Sequence, residues 1–190
     1  MRLQRSRFVR RSAWLRFAVL LCFGFGGPAF PASLQEYQVK AVFLFNFTQF
    51  VDWPDRSFPD AGKPIAICIL GDDPFDGYLD ETVRGERVDN RTLVVRRLTS
   101  AEDSTGCQVL FISDSESARL DAILDRVKDA SILTVGDTRG FGERGGIVGF
   151  VTEGNHVRLR INVDAAKAAG LTISSKLLRV AELVESKSRR

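Results

Sequence analysis

The chain has 190 residues, with 27 Lys and Arg against 24 Asp and Glu and a formal net charge of +3. The excess lies at the N-terminus: residues 1–32 hold six arginines and no acid, so without them Lys and Arg fall from 27 to 21 and the net charge becomes −3. That acidic remainder excludes the electrostatic footprint of a nucleic-acid binder, which works by neutralising phosphates, and about 158 residues suit one domain.

Arg2, Arg5, Arg7, Arg10, Arg11 and Arg16 precede the apolar run Phe17–Phe25, and Gly26, Gly27, Pro28, Ala29 and Ala32 follow it. A basic region, a short apolar core and a small-residue exit predict a signal peptide over residues 1–32, cut after Ala29 or Ala32. The run is too short for a membrane span of roughly 20 apolar residues. The predicted mature domain is 33–190.

A long helix opens that domain. Ser33 and Glu36 have capping-box spacing, and Pro54 follows the predicted end near Val51. Leu34, Tyr37, Ala41, Leu44, Phe45 and Val51 make one apolar face at helical spacing. Val39, Phe43, Phe47 and Phe50 make a second stripe, with Trp53 just beyond. One face suffices to dock a helix on a sheet. The second stripe is therefore either buried as well or an exposed partner-binding patch formed by Phe43, Phe47, Phe50 and Trp53.

Strands are predicted at Ile65–Leu70, Thr92–Arg97, Gln108–Ile112 and Ile132–Val135, with a brief helix after Pro74 and a longer one from Ser115 to Asp129. Apolar strands separated by helices point to a parallel sheet covered on both faces. Ile147–Thr152 and His156–Asn162 flank the turn Glu153–Asn155 and predict a hairpin. A short helix over Asp164–Ala169 stops at Gly170. A last helix starts at Ser174 or Ser175, with Leu177, Leu178, Ala181 and Val184 as its apolar face. The fold class is α/β: a single domain, a mainly parallel sheet flanked by helices, with an antiparallel hairpin addition.

Cys22 leaves with the signal peptide, and Cys68 and Cys107 remain. After export the pair is either a disulfide or two buried thiols. As a disulfide it closes a loop of about 40 residues, worth roughly 4 kcal/mol on the chain-entropy model. No further Cys or His clusters nearby to make a zinc site.

Catalytic readings are weak. His156 is the single histidine and has no identifiable metal or triad partners. Asp72, Asp73, Asp114, Thr134 or Thr138, and Lys167 or Lys176 occur in the order of a receiver-type phosphorylation pocket, but loop acids at strand ends are ordinarily turn residues and helix caps. Gly140, Gly142, Gly145, Gly146 and Gly149 precede a strand. A phosphate-cradling loop follows a strand and opens a helix, so this cluster is expected to be a mobile loop or a bulge. No cofactor, metal site or enzymatic activity is expected.

Several segments together resemble the YfiR family. They are YQVKAVFLFNF (Tyr37–Phe47) with FVDWP (Phe50–Pro54), ILGDDP (Ile69–Pro74), LTVGD (Leu133–Asp137), Gly145–Gly146, and EGN (Glu153–Asn155) leading into RIN (Arg160–Asn162). AAKAAGL (Ala165–Leu171) with ISSKLL (Ile173–Leu178) closes the series. The resemblance implies a small periplasmic α/β protein that represses an inner-membrane diguanylate cyclase through the cyclase's periplasmic region. It also implies that an outer-membrane lipoprotein sequesters the repressor and that cyclic-di-GMP output follows. It matches Cys68 and Cys107 to a family disulfide position. Some relatives carry a second cysteine pair near Gly145–Gly146, where this chain has Gly142 and Gly149 and no cysteine. The expected function is thus a regulatory binding protein, with a homodimer as a further association. The alternative is a periplasmic small-ligand-binding domain with a pocket at the carboxyl ends of the strands, near Gly71–Pro74 and Ser113–Ser115.

Overall fold

The computed structural model describes residues 32–58, 60, 62–154 and 156–187. The signal peptide expected at the N-terminus, the Ser33 cap and Asn155 of the hairpin turn lie outside what is described. In chain order the elements are α1 (Ala32–Phe50), β1 (Val51–Asp52), β2 (Ile65–Leu70), α2 (Tyr78–Val83), β3 (Arg87–Val88), β4 (Arg91–Leu98) and β5 (Val109–Ile112). After these come α3 (Leu120–Val127), β6 (Leu133–Gly136), β7 (Val148–Glu153), β8 (His156–Ile161), α4 (Val163–Ala168), β9 (Thr172–Ile173), α5 (Ser175–Leu178) and β10 (Ala181–Leu183).

Eight strands form one sheet in the order β10-β8-β7-β6-β5-β2-β4-β3. From β7 to β4 every neighbouring pair is parallel. The hairpin β7–β8 is antiparallel, with Phe150 opposite Leu159. All six residues of β2 are buried, as a strand covered on both faces requires. Its alternation divides the core. Ile65, Ile67 and Ile69 pack with α1, α2 and α4 on one face, while Ala66, Cys68 and Leu70 pack with α3 on the other.

The predicted C-terminal helix is corrected. Helix α5 stops at Leu178, and Ala181–Leu183 form β10, paired in parallel with Leu159–Ile161 of β8. A short helix gains little from its own turns, whereas the open edge of β8 offers unpaired backbone groups to any strand that reaches it. The two-residue strands β1 and β9 pair with each other and, like β3, are too short to show a period in the sequence.

The glycine cluster is a packed turn. The Phe141 ring lies between Gly136 and Gly146, where an added Cβ would come within 2.4 Å and 2.1 Å of ring carbons. Those two positions exclude any side chain because the ring occupies the space.

Cys68, in the middle of β2, is bonded to Cys107, which precedes β5, and closes 39 residues of chain. Replacing both cysteines by alanine is expected to lower the unfolding free energy by about 2–4 kcal/mol. Urea unfolding of the oxidised protein and the double variant measures this, and equal midpoints would contradict it.

Candidate functional site

Helix α1 runs antiparallel to the central strands. Its early residue Lys40 meets Asp137, just past the end of β6, and Trp53, beyond its end, donates from Nε1 to the Gln108 carbonyl just before β5, at 3.1 Å. The helix thus carries its N-terminal half to the carboxyl ends of β5 and β6.

Polar groups converge there on a side chain that apolar periodicity does not find. Lys40 is 2% exposed and sits beside Ala41 and one turn before Leu44 on the core face. A buried ammonium is tolerated only when paired and hydrogen-bonded. Lys40 Nζ lies 2.5 Å from Glu36 Oε1 and 2.6 Å from Asp137 Oδ2, and 4.2 Å from the centre of the Tyr37 ring, a cation–π distance. The Tyr37 hydroxyl donates to the same Asp137 Oδ2 at 2.9 Å. Thr138 donates to Asp114 Oδ1 at 3.0 Å, which ties the loops after β5 and β6 together.

The electrostatics follow from this packing. Burial opposes the charge on Glu36, but hydrogen bonds with Lys40 and Thr152, together with the Lys40 charge, outweigh it and hold the carboxyl below its ordinary value. Burial first, and then the charge of Asp137 and the hydrogen bond to it, push the Tyr37 hydroxyl well above its ordinary value. Asp137 Oδ1 is buried and has no hydrogen-bond partner. A cavity of about 530 Å³ is lined by Glu36, Tyr37, Lys40, Asp114, Asp137 and Thr138, and further by Arg139, Glu143 and Arg160.

The cavity reaches Asp114 but not the expected Gly71–Pro74 stretch. Ser115 and Glu116 fill that crevice. The Asp72 N–H donates to Ser115 Oγ at 3.0 Å, and a Cβ on Gly71 would come within 2.5 Å of the same oxygen. The pocket therefore sits over β6 and β7 instead.

The aromatic stripe is split. Phe47 is fully buried and stacks on Phe43 and Phe150, with ring centroids 6.2 Å and 6.1 Å away. For Phe47 the core alternative holds and the exposed-patch alternative is corrected, because a ring without accessible surface touches no partner. Phe43, Phe50 and Trp53 are half-buried against the core. The large apolar residues of α1 that face outward are Val39 and Val42, 42% and 48% exposed.

Of the receiver-like series only Asp114 and Thr138 meet, through the hydrogen bond already described. Asp73 pairs with Arg97, which also holds Asp80. Thr134 accepts the Ile147 N–H at 3.0 Å. Lys167 lies 3.6 Å from Asp164 at the surface. His156 is exposed at the start of β8. Among the described residues, no three His, Cys, Asp or Glu are placed to hold a metal ion, and no helix is long and apolar enough to cross a membrane.

A five-strand parallel core with helices on both faces, and a helix laid over the strand ends, defines a three-layer α/β domain. Within that class the chain belongs to the YfiR/HmsC-like family, whose model matches residues 37–182. The family is one of periplasmic regulators rather than catalysts. No curated protein matches the chain. Among solved structures, a conserved domain protein from Vibrio cholerae is 13% identical with a TM-score of 0.48, covering 80% of this chain and 60% of that one. An ABC domain in complex with L-Trp from Streptococcus pneumonia is 10% identical with a TM-score of 0.51, covering 78% of this chain and 60% of that one, a likeness of fold. The matches span about 60% of each of those longer chains.

Proposed function

We propose that the chain is an exported periplasmic regulator that restrains an inner-membrane signalling protein, a diguanylate cyclase, by docking on its periplasmic region. The observation that carries this reading is the family match, which spans nearly the whole described domain, from Tyr37 to Glu182. The outward face of α1 supplies a contact surface. Val39 and Val42 are exposed beside half-buried Phe43, and adjoining exposed apolar side chains mark interaction surfaces. Phe50 and Trp53 extend that surface toward the opposite end of the sheet. An outer-membrane lipoprotein or a second copy of the chain would compete for the regulator.

Deleting the chain is expected to raise cellular cyclic-di-GMP, and restoring it to lower the level again. Restoring it as Val42→Asp is expected to leave the level high while the purified variant keeps its stability within about 0.5 kcal/mol, as surface changes usually do. An unchanged cyclic-di-GMP level on deletion overturns the cyclase assignment.

A second reading is favoured by the cavity of about 530 Å³ at the strand ends, a volume in the range of small-molecule sites. In this reading the domain senses a small ligand.

A further inference from the structure

We propose that the cavity beneath the start of α1 binds a small molecule through a primary ammonium group donated to Asp137. This rests on the small-ligand reading and names the chemistry of that ligand.

Three observations combine. The first is an acceptor without a donor. Lys40 and Tyr37 both use Asp137 Oδ2, while Oδ1 is buried without a partner on a side chain only 9% exposed. A buried carboxylate oxygen left unpaired is costly, and a donor reaching it recovers that cost. The second is placement, because Asp137 lines a cavity large enough for a small molecule. The third is charge. The cavity is lined by the carboxylates of Glu36, Asp114, Asp137 and Glu143 against the cations Lys40, Arg139 and Arg160, four acids to three bases. A further cation therefore enters an environment of net negative charge. Asp114 is exposed, and Thr138 donates to its Oδ1, so its charge remains to steer an incoming ammonium. A charged N–H donor fits such a site better than a neutral hydroxyl, because charge-assisted hydrogen bonds are about twice as strong. A quaternary ammonium has the charge but no N–H to give to Oδ1.

The test is an NMR titration of the folded mature domain with three probes: ethanolamine, its trimethylated counterpart choline, and acetate. Amide shifts are followed at Asp114, Asp137 and Thr138. Ethanolamine is expected to give saturable shifts at these residues, and choline to bind about tenfold more weakly or worse. Asp137→Asn places an amide donor or a neutral acceptor at the wall and is expected to weaken ethanolamine by about tenfold or more. Asp114→Asn, an exposed change that leaves the core alone, is expected to weaken it about twofold to fivefold. It decides the matter by itself if Asp137→Asn does not fold. Equal binding of choline, or ethanolamine binding unmoved by the variants, overturns the proposal. Shifts with acetate alone also overturn it while leaving a ligand pocket in place. No shift with any probe overturns both the ammonium assignment and the small-ligand reading.

Discussion

Truncating Phe47 to alanine is expected to lower the unfolding free energy by about 3–5 kcal/mol, the range for a buried aromatic whose removal leaves a cavity. The ring has no exposed surface and stacks between Phe43 of its own helix and Phe150 of β7. It therefore joins α1 to the hairpin strand that also lines the strand-end cavity. Phe43→Ala, at a half-buried position that touches the rings of Phe47 and Phe150, is expected to cost less, about 1–2 kcal/mol. Urea unfolding of the three proteins supplies the comparison. A Phe47→Ala variant as stable as the parent, defective only in partner capture, would contradict the core placement and return Phe47 to the docking surface.

The misplacement of Phe47 shows what helical spacing leaves out. Phe47 stands three residues after Leu44 and seven after Lys40, on the face that meets the sheet. Grouping it with Val39, Phe43 and Phe50 puts it on the flank. The error arose because the centre of the buried face carries a lysine and a threonine, Lys40 and Thr48. An apolar pattern skips both and drifts toward the phenylalanines. The strands were far more legible. Ile65–Leu70 is a continuous apolar run with a single solution as a central strand, and its predicted limits match β2. The edges were not legible, because β10 is defined by the open side of β8 and not by any period of its own. The Cys68–Cys107 disulfide is one of the two readings that the pair left open in the sequence, the other being two buried thiols. The Lys40–Asp137 contact, between residues 97 apart, had no local signal except Glu36 one turn before Lys40. Only the fold brings the loop after β6 under the helix.

Lys40→Ala is expected to destabilise the domain by about 3–5 kcal/mol, because removing one member of a buried ion pair leaves the other charge uncompensated. Asp137 would keep only the Tyr37 hydroxyl on Oδ2, with Oδ1 already unpartnered. The magnitude belongs to breaking the pair and not to its existence. The double replacement Lys40→Met with Asp137→Asn, which removes both charges, is therefore expected to recover most of the loss. The pH dependence separates this account from simple loss of packing. Glu36 is held below its ordinary value in the folded state, so its contribution is present above the unfolded value and is lost as pH falls through the lower folded one. Tyr37 is shifted upward, so its contribution is present below its ordinary value near about 10 and declines as pH rises beyond it. The parent should lose stability at both extremes. Lys40→Ala, lacking the ammonium that favours the Glu36 carboxylate, should show a shallower acid limb. Denaturant midpoints across pH measure this. An acid limb as steep in Lys40→Ala as in the parent would show that the lysine acts by filling space and not by its charge.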